Sequence, residues 1–128
     1  MVEQAIISIV DDDDLLRDAI QRLLRSHGYA VHGFASAEDF LKSSLPDKSS
    51  CIISDVQLPA MDGVAMQSQL RAKGNKVPII LITAYPNAAM EARARIAGAI
   101  CVLHKPFDSD ALVQWINTAL KSMGSGKV

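Results

Sequence analysis

Apolar positions along the chain follow two alternating rhythms. Short runs rich in β-branched residues, Ala5 to Val10, Ala30 to Phe34, Cys51 to Ser54, Pro78 to Ile82 and Ala99 to Leu103, read as strands. Three of them are almost wholly apolar, as strands covered on both faces should be. Between them lie stretches of helical period. Leu16, Ile20, Leu23 and Leu24 share one helical face, and His27-Gly28 supplies the stop. Ser36, with Asp39 three residues on, opens a short second helix through Phe40 and Leu41 that ends before Pro46. A third helix is predicted from about Val64 to Lys73, with Gly74-Asn75 as its stop, and an Ala-rich fourth from about Asn87 to Ala97, ending at Gly98. The fifth begins near Asp108, carries Leu112, Ile116, Ala119 and Leu120 inward, and frays into Gly124-Ser125-Gly126.

This regular alternation, without repeat or internal linker, predicts a single α/β domain. Its expected form is a doubly wound, five-stranded parallel sheet of flavodoxin-like order 2-1-3-4-5 with five helices. The domain is expected to span residues 1–123, with 124–128 as a flexible tail or the start of a linker.

Composition narrows the function classes. The 128 residues carry a formal net charge of −1, so there is no basic field to hold nucleic acid or an anionic membrane, and direct nucleic-acid binding is not expected. The apolar runs are strand-sized, far below the roughly 20 residues that span a bilayer, and no signal-like segment precedes the first strand. Cys51 and Cys101 sit in apolar surroundings without metal-type spacing, which reads as two buried free thiols in a reducing, cytoplasmic compartment. His27, His32 and His104 read as solvent-facing, and Trp115, Met90 and Met123 as partial core. Arg93 and Arg95 on the fourth helix are candidates for a dimer face.

The candidate chemistry lies where strands end. In doubly wound sheets the ligand crevice forms at the carboxyl ends of the strands, at the switch point between strands one and three. Asp11 and Asp12 follow the first strand, Asp55 the third, Thr83 the fourth and Lys105 the fifth. Three carboxylates in one crevice call for a hard divalent cation, and Mg²⁺ takes a few carboxylate oxygens together with water and phosphate oxygens. A Mg²⁺ site completed by a phosphate ligand is therefore expected at Asp11, Asp12 and Asp55. No glycine-rich nucleotide cradle follows any strand, so the phosphate is not that of a P-loop nucleotide. Asp55 can itself accept a phosphoryl group as nucleophile, with Lys105 offsetting charge on one oxygen and the Thr83 hydroxyl bonding another. Asp13 and Asp14 are left to cap and electrostatically favour the first helix.

The motifs Val10-Asp11-Asp12, Asp55-Val56-Gln57-Leu58-Pro59-Ala60-Met61-Asp62-Gly63, Ile82-Thr83-Ala84 and Lys105-Pro106-Phe107, in this order and at strand ends, resemble the receiver domain of two-component response regulators. The likeness runs from the first strand to the fifth helix. It implies that Asp55 takes a phosphoryl group from a histidine kinase or a small phosphodonor, that Asp11 and Asp12 hold Mg²⁺, and that the Gln57 main-chain carbonyl is a further ligand. It also implies that Thr83 and Lys105 sense the phosphate and that the Lys105-Pro106 bond is cis. Phosphorylation would then re-form the face made by the fourth helix, fifth strand and fifth helix, altering binding to a downstream output domain or partner protein, or forming a homodimer.

Ser36-Ala37-Glu38-Asp39-Phe40-Leu41 and Lys105-Pro106-Phe107 most resemble receivers that precede a helix-turn-helix output domain. Val102 departs from the aromatic residue often found three positions before the lysine, so a ring that moves with the threonine is not carried over. Gln57 and Tyr85 occupy positions that in the family influence phosphoryl-group lifetime. By this resemblance the chain is a switch rather than an enzyme, apart from catalysing its own phosphorylation and dephosphorylation. The alternative is a small phosphatase working through an aspartyl phosphate, but such hydrolases need a second aspartate where Gln57 stands.

Overall fold

The structure, a computed structural model, describes residues 4–125. Five parallel strands, β1 (Ile6–Val10), β2 (Ala30–Phe34), β3 (Cys51–Asp55), β4 (Ile79–Thr83) and β5 (Cys101–His104), form one sheet in the order β2-β1-β3-β4-β5. Strands β1, β3 and β4 occupy the three central positions, and every residue of β3 and β4 is buried. Each strand lies within two residues of its expected bounds.

Helices α1 (Asp14–Ser26), α2 (Ala37–Lys42), α3 (Leu45–Lys48), α4 (Gly63–Ala72), α5 (Ala88–Ile96) and α6 (Ser109–Ser125) complete the domain. Among the described residues there are six, not five. The added one, α3, is a single turn around Pro46, where the chain was expected only to leave the second helix. Proline is tolerated there because the first turn needs no amide donor. The predicted fourth and fifth helices are thus α5 and α6. The expected tail at 124–128 falls partly outside the described residues; α6 runs through Ser125.

Period-two alternation splits the core into two layers. Ile7 and Ile9 of β1, Ile53 of β3, and Ile80 and Ile82 of β4 pack against Ile20 and Leu24 of α1 and Leu112, Ile116 and Ala119 of α6. On the other face Val10, Ile52, Ile79 and Leu81 meet Phe40 of α2, Met66 and Leu70 of α4, and Met90 and Ala94 of α5. Side chains such as Ile53 and Ile80 are fully buried, and truncating one to alanine would cost about 2–5 kcal/mol.

Met90 is buried and Trp115 packs half-buried at the rim of the α1/α6 layer, whereas the Met123 side chain lies outside the described residues. The three histidines are exposed, and His104 faces Glu91 of α5 at 3.2 Å. Both cysteines are free and buried.

Candidate functional site

Each polar residue of the site is held by the end of a strand that cannot shift without breaking the sheet. Val10 pairs with Ser54 across β1 and β3, so Asp11 and Asp55 leave neighbouring strands at nearly the same level. Thr83 is the last residue of β4 and pairs with His104, which brings Lys105 alongside; the Lys105 amide donates to the Thr83 carbonyl at 2.7 Å. The Lys105-Pro106 peptide is cis, as the family resemblance implied.

The aspartate run divides between two tasks. Asp13 is the N-cap of α1, its Oδ1 accepting from the Leu15 and Leu16 amides at 3.1 and 3.2 Å, and Asp14 opens the helix in a pair with Arg17. Arg17 also donates to the Asp11 carbonyl at 2.6 Å, which anchors the backbone between strand and helix. Asp11 itself is fully buried, and its Oδ1 accepts from the Asp13 amide at 2.8 Å. Asp12 is exposed at the mouth.

On the far side, Asp55 Oδ1 accepts from the Gln57 amide at 3.0 Å. The loop that follows folds back so closely that Gly63, at the start of α4, leaves no room for a side chain: an added Cβ would collide with the Asp55 carbonyl oxygen. Asp62 caps α4 through the Ala65 amide at 2.7 Å, and Ala60 holds a left-handed conformation with φ 65°. This is the physical content of the Asp62-Gly63 pair in the sequence, a helix start pressed against the back of the Asp55 residue.

Carboxylate oxygens of Asp11, Asp12 and Asp55 all lie within 4.8 Å of one another. Lys105 Nζ bonds Asp55 Oδ2 at 2.8 Å and approaches Asp11 Oδ2 at 3.5 Å. Burial pushes the Asp11 carboxyl above its ordinary value, with the nearby Asp55 charge adding to this against the opposing pull of the Asp13 amide and Lys105. For Lys105 burial works downward, but the hydrogen bond to Asp55 and the two carboxylate charges outweigh it and hold the ammonium above its usual range. One lysine thus leaves three carboxylates incompletely neutralised. An all-oxygen set with two buried members and one exposed, open toward solvent at Asp12, fits a hard cation that keeps several water or phosphate ligands.

Asp11, Asp12, Asp55 and Lys105 meet in one crevice, and Thr83 is linked to it through Gln57. Thr83 is buried, and its hydroxyl donates to Gln57 Oε1 at 2.9 Å, with the Tyr85 carbonyl as a longer alternative at 3.3 Å, while the Tyr85 amide donates back to it at 3.0 Å. Sequence reasoning assigned Gln57 a main-chain task and missed this side-chain bond, which no spacing rule could reveal. It missed Arg71 as well. That guanidinium donates to the carbonyls of Asn75, Val77, Ala97 and Gly98, tying the end of α4 to the start of β4 and the end of α5.

Two grooves flank the crevice. One, of about 430 Å³, runs between α1 and the segment after β5, lined by Leu16, Ala19, Ile20, Leu23, Pro106 and Phe107. Leu15 stands 84% exposed on α1. The other, of about 410 Å³, lies between α4 and α5 and includes Arg93.

Residues 7–117 match the family model described as the response regulator receiver domain. Among curated proteins, nodulation protein W of Bradyrhizobium diazoefficiens is 37% identical over 116 residues, covering 91% of this chain and 51% of that protein. The transcriptional regulatory protein FixJ of the same organism is 34% identical over 122 residues, covering 94% of this chain and 59% of FixJ. The chain therefore spans about half the length of the curated relatives it matches. Among solved structures, the response regulator StyR superposes with a TM-score of 0.89 at 36% identity, covering 98% of this chain and 63% of that one. The N-terminal FixJ structure gives 0.83 at 30% identity, covering 94% and 96%.

Proposed function

The chain belongs to the response regulator receiver domain family, and from that premise we propose that it is a Mg²⁺-dependent phosphoacceptor whose output is a change of binding surface. The observation that carries this reading is the Lys105 ammonium bonded to Asp55 beside the carboxylate trio. An Asp55 carboxylate oxygen attacks the phosphorus of a histidine kinase's phosphohistidine. The P–N bond breaks and its electron pair stays on the imidazole nitrogen.

Lys105 exchanges its carboxylate partner for a phosphoryl oxygen, and the Thr83 hydroxyl donates to another. Asp11, Asp12, Asp55 and the Gln57 main-chain carbonyl hold the Mg²⁺, which when bound offsets charge on the carboxylates and on the transferring phosphoryl oxygens. The phosphatase alternative has lost its footing, because the residue where its general acid belongs is Gln57, which bonds Thr83 through an amide that cannot protonate a leaving group.

The output surface is the face of α5, β5 and α6, reached from Thr83 through the loop that leads into α5. Downstream of it we place an output domain, of the helix-turn-helix class, on the strength of relatives nearly twice as long, one of them a transcriptional regulatory protein. Homodimer formation through that face on phosphorylation, with Arg93 and Arg95 exposed on α5, belongs to the same reading. So does a cytoplasmic location, where both thiols stay reduced. The apolar α1 groove beside Lys105 suits the apolar face of the protein that delivers the phosphoryl group.

The test is incubation with Mg²⁺ and a small phosphodonor, followed by intact-mass measurement. One added phosphoryl group is expected, absent in Asp55→Asn and absent in chelator. Stable label on Asp55→Asn would refute the assignment. Mg²⁺ affinity should fall more in Asp12→Ala than in Asp14→Ala, and equal losses would reduce the run to a diffuse charge patch.

A further inference from the structure

Gln57 touches both ends of the proposed switch. Its backbone amide donates to Asp55 Oδ1 at 3.0 Å, while its side-chain oxygen accepts the Thr83 hydroxyl at 2.9 Å. A hydroxyl has one proton, so while Thr83 gives it to Gln57 it cannot give it to a group on Asp55. The Thr83 oxygen in turn accepts the Tyr85 amide at 3.0 Å, and two residues further on Asn87 caps α5 through the Met90 amide at 2.9 Å. A short chain of hydrogen bonds thus runs from the Asp55 carboxylate through Gln57 and Thr83 to the loop that opens α5.

We propose that the Gln57 side chain is the resting-state latch on Thr83, and that its release is the step by which a change at Asp55 reaches α5. The inference rests on the phosphoacceptor reading and adds a positioning residue to it. Three features suit a latch rather than a structural bond. Thr83 is fully buried, so its hydroxyl has few alternative partners, whereas Gln57 is exposed and its amide rehydrates freely once released. The holding energy is therefore modest, as a reversible device requires. A phosphoryl group on Asp55 alters the carboxylate that the Gln57 amide is bonded to, so the disturbance arrives at the latch directly. With Val102 in place of an aromatic ring three residues before Lys105, the hydrogen-bond chain takes over the task of coupling Thr83 to the surface.

The experiment uses beryllofluoride with Mg²⁺ as the phosphoryl probe, its apparent affinity measured by calorimetry for the full chain, Gln57→Met, Thr83→Val and the double variant. Methionine matches glutamine in length but offers no comparable acceptor, and Gln57→Ala serves as a second removal. Removing the latch should tighten beryllofluoride binding about threefold to tenfold, the worth of one released hydrogen bond. In the Thr83→Val background the same change should have no effect. The Tyr85 amide resonance of the ligand-free protein should move in Gln57→Met toward its position in the beryllofluoride complex, a response that a merely structural role would not produce. Equal tightening in both backgrounds, or none where Thr83 is present, would overturn the latch while leaving the phosphoacceptor reading intact. Failure of the full chain to bind beryllofluoride, or undiminished binding by Asp55→Asn, would overturn the phosphoacceptor reading and the latch with it.

Discussion

Replacing Asp11 by asparagine should make the metal-free protein more stable while removing its response to Mg²⁺. Asn keeps the shape and the carbonyl oxygen that accepts the Asp13 amide, so what is lost is the charge and the 3.5 Å acceptor contact of Oδ2 with Lys105. Two Coulomb interactions with shielded partners then disappear together, while repulsion from Asp12, exposed to water, is more strongly screened and only adds to the gain. Repulsion from Asp55, with oxygens within 4.8 Å, amounts to at least about 3.5 kcal/mol at an effective dielectric of 20. Attraction to Lys105 at 3.5 Å amounts to about 4.7 kcal/mol on the same footing.

These nearly cancel, and burial decides the sign. Ionising a fully buried carboxylate costs several kcal/mol, which is why the Asp11 carboxyl titrates above its ordinary value of 3.8. The net gain for Asp11→Asn at neutral pH should be about 1–3 kcal/mol. Because the folded protein binds this proton more tightly than the unfolded chain, Asp11 lowers stability progressively as pH rises from 3.8 through its raised folded value. That component of the pH profile should be missing from the variant.

Urea unfolding in chelator across this pH range tests the point, with an unchanged m-value as the control. Mg²⁺ at a hundred times its dissociation constant should stabilise the wild type by about 2.7 kcal/mol and the variant far less. If Asp11→Asn proves less stable than the wild type at neutral pH in chelator, the Lys105 attraction outweighs burial and the electrostatic account of the site is wrong.

Arg71→Met, which keeps the aliphatic stem but strips four carbonyls of their donor, should lower unfolding free energy by about 2–4 kcal/mol. A loss under about 0.5 kcal/mol in urea titration would mean that those carbonyls simply rehydrate. Burial raises the Cys51 thiol to about 12 and the Cys101 thiol to about 11, so alkylation near pH 8 should be negligible in the native state. Labelling should follow the unfolding rate, and rapid modification of either thiol in folded protein would contradict its burial.

Much of this molecule is written in local pattern. β-Branched apolar runs satisfy their backbone in a sheet, and runs without polar alternation belong inside it, as in the wholly buried central strands β3 and β4. Ser36, Asn87, Gly28 and Gly74 marked helix ends because capping and positive φ are properties of single residues. The convergence of Asp11, Asp12, Asp55, Thr83 and Lys105 followed from topology alone, since parallel strands in this order end on one side of the sheet.

What sequence could not determine were interactions of side chains that meet only after the layers close. Within the aspartate run, residue type is constant, and burial alone separates Asp11 from its exposed neighbour Asp12. The Gln57 bond to Thr83 crosses 26 positions, and the Arg71 bonds to Ala97 and Gly98 cross 26 and 27; neither leaves a periodic trace. Proline at 46 signals the end of one helix as well as the start of another, so α3 had to await the packing of α2 against its neighbours. Chain-local physics sets where elements begin, end and face, whereas the reach of a long polar side chain depends on a partner whose distance only the assembled sheet defines.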